Sequence, residues 1–375
     1  MIRGGFNLRI DLHDKGMRRA VTRVTIADVS DALGLTKSTV SRALNHYPDI
    51  SETTRNRVKA MADKMGYRPL SHAQAIRTGL VKSLGLVIQM ADHDAQRPFL
   101  AEFLAGLSEG ASAEGFTLTI ATSNSAAATV ETFRNMIRDR KADGFILQRT
   151  MINDRRIALL RKERVPFVLF GRADQPDDCP SFDILGEVAM REAVLHLVSL
   201  GHRHIGFING GTQYTYAPFR NAGFLRGMQD AGLPVDAACV SQDAVTVADG
   251  EAAATEMLSL PTPPTAIICA VDMAALGVYR AAAFAGLVVG EDISVIGYDG
   301  VPEGAHVSPP LSTFAVNFKE AGQRLSGLLI RRIRGAKSQD LQETAVPKFL
   351  NRGSTGPVLA DPNTSIFTKG GNYEN

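Results

Sequence analysis

The sequence predicts two folding units of different class: a small all-α headpiece at the N-terminus, then an α/β body of two doubly wound parallel-sheet lobes. Three observations lead there. Residues 22–68 read as short helices joined by tight turns. From Leu84 onward the short apolar runs LGLVIQ, FTLTIAT, DGFILQ and PFVLF alternate with helical stretches, and the order returns after Phe182 as HIGFIN, TAIICA and DISVIGYD. Such runs, spaced by helices, are buried parallel strands in β-α-β order. Charge divides at the same place: residues 18–82 carry 12 Lys/Arg against 5 Asp/Glu, whereas residues 83–375 are net −6 within a chain of +2. A basic unit suits a polyanion and the acidic body does not.

Composition bounds the rest. At 375 residues, the chain is long for one core. Its 45% hydrophobic and 21% charged residues exclude wholesale disorder. No uninterrupted apolar stretch approaches the ~18 residues of a membrane span, so no membrane partner is expected. Cys179, Cys239 and Cys269 are scattered, which fits a reducing compartment and no disulfide framework. The first residues lack the apolar core of a secretory signal, so a cytoplasmic location is expected. Residues 1–22 read as a flexible extension, with Met17 an alternative start.

The headpiece spans 23–68. In TIADVSDALGLTKSTVSRALN, Thr25 is placed to cap a first helix whose Ile26, Val29 and Leu33 share one face. Gly34 follows where a left-handed turn needs a residue without Cβ. Thr36 caps a second helix from Lys37, with Val40, Ala43 and Leu44 inward and Lys37, Ser38, Ser41 and Arg42 outward. This is helix–turn–helix spacing, with short polar and basic side chains where a recognition helix meets base edges. Arg42 is suited to a bidentate guanine contact, and Lys37 or Ser38 to choosing a neighbouring base. Thr36, Thr39, Asn45 and Thr54 are suited to phosphate contacts, which position without specifying. Taken alone the spacing also fits a plain αα-hairpin; the basic balance and the linker after it favour the DNA reader. Residues 69–82, opening PLSHAQAIRTG, read as a Pro-opened, Gly-closed linker about one helix long.

Taken together, these segments resemble the lactose/galactose repressor (LacI/GalR) family of transcriptional regulators. TIADVSDALGLTKSTVSRALN and ISETTRNRVKAMADKMGYRP look like its headpiece. GLVIQ, RPFL, ADGFIL, LGHRHIGFI, RNAGF, PPTAIICAVDMAALGVYRA, ISVIGYD, PPLSTF and LNRGST fall in its order over roughly residues 24–356. The headpiece and linker look most like repressors of α-glucoside uptake genes. The resemblance implies a periplasmic-binding-protein-like body over 83–358, a homodimer on double-stranded operator DNA, and a small carbohydrate effector, α-glucoside being the candidate. It implies that residues 69–82 form a hinge helix, with Ala73 permitting close hinge approach and Ile76 acting as the minor-groove wedge where the family usually has Leu. It makes Arg220 and Asp272 the effector-binding arginine and aspartate, and Phe99 the aromatic beside the cleft. From spacing alone Phe99 is equally a core residue. Arg149 and Arg172 follow the runs FILQ and FVLF and so fall at the same sheet edge. Lobe one is expected at about 83–180 and 313–338, lobe two at about 181–312 and 339–358, and a tail at 359–375.

The chain departs from the family at several points. Arg97 stands where Asn is usual, Leu185-Gly186 where an Asp-Asn pair is common (with Asp183 just before), and Val316 where some members place a ligand-contacting Gln. His202 and His204 lie one apart in GHRHI, but no carboxylate or Cys follows at matching spacing, so they read as helix-end and turn residues rather than a metal site. No GxSxG, P-loop, GxGxxG or HExxH occurs. Neither enzyme activity nor a cofactor is expected. The competing reading is a solute-binding protein for a sugar or other small metabolite, which would share the body but has no use for a basic headpiece.

Overall fold

The computed structural model describes residues 24–68, 79–90, 93–173 and 179–358, with only the backbone described over 93–98. The expected extension at 1–22, most of the hinge segment and the tail at 359–375 lie outside the described residues. Two units separate, Met1–Leu80 and Val81–Asn375.

In the first unit, α1 (Ile26–Leu33) opens on a capping box between Thr25 and Asp28 and closes on Gly34 at φ +64°. Helix α2 (Lys37–Leu44) is capped by Thr36, which accepts from Thr39 N at 3.1 Å. Helix α3 (Glu52–Met65) begins at Ser51 and ends on Gly66. The expected inward residues form the core: Val29, Val40, Ala43 and Val58 are buried, with Ile26, Leu33 and Leu44 packed against them.

The second unit holds two six-stranded sheets. The first contains β1 (Ser83–Gln89), β2 (Thr117–Ser123), β3 (Gly144–Leu147), β4 (Phe167–Phe170), β5 (Ser181–Ile184) and β11 (Gln342–Ala345). The second contains β6 (Ile205–Ile208), β7 (Val240–Ser241), β8 (Ala266–Cys269), β9 (Ser294–Asp299), β10 (Ser312–Ala315) and β12 (Lys348–Leu350). Their orders, β11-β5-β4-β3-β1-β2 and β12-β10-β9-β8-β6-β7, are one topology used twice. Every pairing is parallel except β12 on β10. Parallel sheets need both faces covered. On lobe one α4 (His93–Ala113) and α11 (Phe318–Ile333) cover one face, and α5 (Ala126–Arg138) and α6 (Arg155–Lys162) the other. On lobe two α7 (Gly186–Ser199) and α8 (Tyr216–Asp230) face α9 (Val247–Leu258) and α10 (Asp272–Phe284) across the sheet. Strand side chains alternate accordingly: Leu84, Leu86 and Ile88 enter one core and Val87 the other.

All seven apolar runs expected from the sequence are strands. The lobe boundaries expected at 181, 313 and 339 need correction. Residues 181–184 stay in lobe one as β5, residues 312–315 stay in lobe two as β10, and 342–345 return to lobe one as β11. The chain therefore crosses at Leu185-Gly186, Val316-Asn317 and Val346-Pro347. The segments concerned, SFDI, STFA and QETA, carry Ser, Thr, Asp, Gln or Glu, so they lack the apolar signature of the other strands. At the first crossing Gly186 leaves room for Arg220: a Cβ there would lie 3.0 Å from Arg220 Cγ.

Candidate nucleic-acid face and effector cleft

On the headpiece, α2 presents Lys37, Ser38 and Arg42 as exposed residues, with Thr39, Ser41 and Asn45 half-buried. Several hydroxyls are already engaged. Thr36 and Thr39 share a hydrogen bond at 2.9 Å, as do Ser51 and Thr54. Asn45 Nδ2 donates to Ser41 O at 2.7 Å and closes the helix. Arg42 pairs with Asp49, both side chains nearly half exposed, and lies 5.4 Å over the Tyr47 ring. Sequence reasoning missed Asp49 and Tyr47, which sit in the turn after α2 rather than on a helix face. Ala73 and Ile76 lie outside the described residues.

In the body, one cavity of about 120 Å³ lies between the lobes. Its lining follows the carboxyl ends of the strands: Gln148, Arg149 and Thr150 after β3, Gly171 and Arg172 after β4, Val271 after β8, and Val316 after β10. Doubly wound sheets bind ligands at these ends. Phe99, Phe170, Phe219 and Phe318 supply its apolar walls. Phe99 stacks on Phe318 with centroids 4.6 Å apart. It is thus both a wall of the cleft and packed against the lobe-one core.

Of the five expected effector residues, Phe99, Arg149, Arg172 and Arg220 line this cavity. Arg220 projects from α8 between two aromatic faces, its guanidinium 3.8 Å from the Tyr298 centroid and 4.3 Å from that of Tyr216. It donates to the Ala270 carbonyl. Arg149 has φ +48° and reaches Tyr214 OH at 3.4 Å. Arg172 does more than line the wall. From lobe one it meets Asp183 at 2.6 Å, and across the cleft it meets both oxygens of Glu187 on α7, at 2.8 and 2.9 Å, and the face of Phe219 at 3.8 Å. The loops 150–152 and 213–215 bridge the lobes on the same side, with Thr215 N donating to Thr150 O and Ile152 N to Gln213 O, each at 3.0 Å.

Asp272 is placed differently from the expectation. It is fully buried at the start of α10 and is absent from the cavity lining. Its Oδ2 accepts from Gly300 N and Val301 N at 2.8 Å each, and its Oδ1 from Thr313 Oγ1 at 2.7 Å. A carboxylate with these three donors braces the β9–β10 end of lobe two. Burial still pushes its carboxyl up to about 6, against those hydrogen bonds. Three carboxylates do line the cavity: Asp183 and Glu187, both held by Arg172, and Asp299 at the end of β9, which has no such ion pair among the described residues. The Asp299 φ of +124° is unusual for a residue with a Cβ and marks a constrained position. Burial pushes the Asp299 carboxyl up to about 7, opposed by the Arg220 charge and by the Asp272 N–H, while the Asp272 carboxylate adds to the rise. Of the expected pair, Arg220 lines the cavity and Asp272 does not; Asp299 is the lining carboxylate beside Arg220. Gln148 Oε1 and the Tyr216 hydroxyl, also in the lining, are buried without a hydrogen-bond partner. Burial pushes the Tyr216 hydroxyl up to about 12, so it stays a neutral donor.

A helix–turn–helix headpiece followed by a two-lobed, strand-end cleft defines a DNA-binding transcriptional regulator with a periplasmic-binding-protein-like body. Residues 25–70 match the model for bacterial regulatory proteins of the lacI family, and residues 194–355 match that for a periplasmic binding protein-like domain. The chain is 36% identical to the HTH-type transcriptional regulator AglR of Rhizobium meliloti (strain 1021) over 343 residues, 89% of this chain and 95% of that protein. It superposes on the lac repressor dimer bound to operator and the anti-inducer ONPF with a TM-score of 0.73, at 26% identity, over 89% of this chain and 99% of that one. The CelR–cellobiose complex gives 0.69 at 26% identity, covering 88% and 100%. The chain belongs to the LacI family of transcriptional regulators.

Proposed function

We propose that this regulator is a homodimeric, cytoplasmic repressor whose operator affinity is set by a carbohydrate held in the cleft, an α-glucoside by the resemblance of its headpiece. The carrying observation is the cavity chemistry. Arg220 and Asp299 offer charge-assisted hydrogen bonds to neighbouring hydroxyls, Gln148 Oε1 and the Tyr216 hydroxyl supply unused polar atoms, and Phe99, Phe170 and Phe318 offer apolar faces. One water-sized group needs roughly 10–15 Å³. The cavity of about 120 Å³ therefore takes on the order of ten such groups, the size of one hexose ring. We assign the glucosyl ring to this space; a second ring or an aglycone requires the lobes to part at the Arg172–Glu187 contact. CelR, bound to cellobiose, is a relative in which a disaccharide is accommodated.

Arg42, Lys37 and Ser38 are the proposed base readers, Thr36, Thr39, Ser41, Asn45 and Thr54 the backbone-facing groups, and Ala73 with Ile76 the hinge contact. Two headpieces of a dimer then meet adjacent half-sites of a near-palindrome. The sugar acts only through its different affinity for the two lobe arrangements, whichever sign that coupling takes.

The test is retention of duplex DNA at several salt concentrations with and without a panel of mono- and disaccharides. Steep loss of affinity with salt, reset by one α-glucoside, is the expected result. DNA binding that no sugar alters sinks the effector assignment. Sugar binding by a protein that ignores duplex DNA at low salt sinks the repressor.

A further inference from the structure

We propose that lobe two carries a divalent transition-metal site, of the kind zinc occupies, built from His204, Asp236 and Cys239. It lies at the opposite end of β6 from the cleft. His204 immediately precedes β6, and Asp236 and Cys239 bracket the short 3₁₀ turn that leads into β7. In sequence Asp236 and Cys239 lie about thirty residues beyond His204, which is why spacing along GHRHI gave no hint of the set. His202 takes no part: its ring is held by Thr265, Ser294 and the Gly356 carbonyl at 2.9–3.0 Å.

The three atoms that turn toward one another are those a metal would use. His204 Nε2 is 3.4 Å from Cys239 Sγ and 3.5 Å from Asp236 Oδ2, and Sγ is 3.8 Å from Oδ2. Zinc bonds of ~2.3 Å to sulfur and ~2.0–2.1 Å to nitrogen and oxygen, at tetrahedral angles, place such atoms about 3.3–3.6 Å apart. The observed triangle is within about 0.3 Å of that one on every edge. The other atom of each polar group is already engaged in the way metal ligands usually are. His204 Nδ1 lies 3.2 Å from the Pro263 carbonyl, so it carries the proton and leaves the Nε2 lone pair inward. Asp236 Oδ1 accepts from Ala238 N at 2.9 Å, which caps the turn and leaves Oδ2 for the metal. Cys239 is buried, whereas His204 and Asp236 are partly exposed, so an ion enters from solvent and keeps a water as its fourth ligand. On binding, the Cys239 S–H bond breaks, its proton goes to solvent, and the thiolate bonds to the ion; no redox change is involved. The ion then ties the turn and the edge strand β7 to the entry of β6.

The full-length protein, freed of metal with a chelator and titrated with Co²⁺, tests the site. The expected result is one equivalent bound with a thiolate-to-cobalt charge-transfer absorption that Zn²⁺ displaces, and a rise in thermal midpoint with Zn²⁺ as mass action requires. Cys239→Ser removes the absorption. Asp236→Asn, which still caps the turn, weakens binding at least tenfold, with circular dichroism confirming the fold of both variants. A folded wild type showing no thiolate absorption in excess Co²⁺ overturns the proposal. So does an absorption that persists in Cys239→Ser, since that places the metal on Cys179 or Cys269.

Discussion

In the headpiece, Arg42 meets Asp49 where both side chains are nearly half exposed. In lobe two, Asp272 takes three donors with no exposure at all. Between these extremes stands Asp299, in the cavity wall beside Arg220 without a comparable set of donors. The three sites show how surroundings set what a charged side chain does. An exposed pair exchanges readily for another partner, because water covers most of its loss. A buried and fully paired carboxylate braces the fold, because nothing replaces its partners. A half-buried carboxylate in a cavity wall with few donors, as at Asp299, keeps an acceptor that a polar ligand can use.

The largest expected effect separates the buried Asp272 from the half-buried Asp299. Asp272→Ala strips acceptors from Gly300 N, Val301 N and the Thr313 hydroxyl at once. A buried donor left unsatisfied costs about 1–3 kcal/mol. The variant should therefore lose about 3 kcal/mol or more in chemical denaturation, with the loss confined to the body. If Asp272→Ala instead kept wild-type stability and lost only its sugar response, Asp272 would be the ligand contact and the assignment to Asp299 would be reversed.

Asp299→Asn should do the opposite. Above pH 7, where Asp299 is ionised, hydrogen bonds to its charge contribute about 1.5–3 kcal/mol, so sugar affinity by calorimetry at about pH 8 should fall roughly 10- to 150-fold while the fold survives. A pH series sharpens the contrast. The Asp299 carboxyl is raised from 3.8 to about 7, so the fold favours its neutral form. Its contribution to stability is then fully present below about pH 4 and lost as pH rises through about 7. Asp183 and Asp272, both pushed up to about 6, act in the same direction. Asn removes one of these liabilities, so Asp299→Asn should gain stability relative to wild type between pH 4 and 7. An advantage that shrank over that interval would contradict the sign.

These two aspartates also show where the sequence ran out. Each ends or directly follows a strand that reads as an apolar run, one in TAIICAVD and the other in ISVIGYD. Nothing in the spacing says which turns into the cleft. The distinction is made by Thr313, from a strand the apolar pattern does not reveal, and by a positive φ at Asp299 that no residue type announces. Arg172 was legible as a lining residue because it follows FVLF, but its grip on Glu187 was not, because that partner comes from the other lobe after the crossing. The seven apolar strands and the headpiece were legible for the converse reason. Their determinants are contiguous: Thr25, Gly34 and Thr36 mark the helix ends, and Val29 and Val40 the core, within one stretch of chain.

A smaller effect is expected at the DNA face. Arg42→Ala should cost about 1–3 kcal/mol of discrimination at one base position, read by comparing the sites that wild type and variant select from a random duplex pool. Sugar binding should not change. An unaltered selected site would move the reading role to Lys37 or Ser38.

The smallest effect tests the exposed pair itself. Asp49→Asn frees Arg42 from its intramolecular partner and removes a negative charge from beside the recognition helix. An exposed pair contributes only about 0.2–1 kcal/mol, so stability should scarcely move. With Arg42 as the proposed base reader, that pair competes with DNA for the guanidinium. Releasing it should tighten operator binding by about 1.4- to 5-fold, an amount that diminishes as salt rises. Weaker binding by Asp49→Asn would mean that the carboxylate orients Arg42 toward the base rather than withholding it. Asp49 would then resemble the bracing carboxylate of lobe two more than its exposure implies.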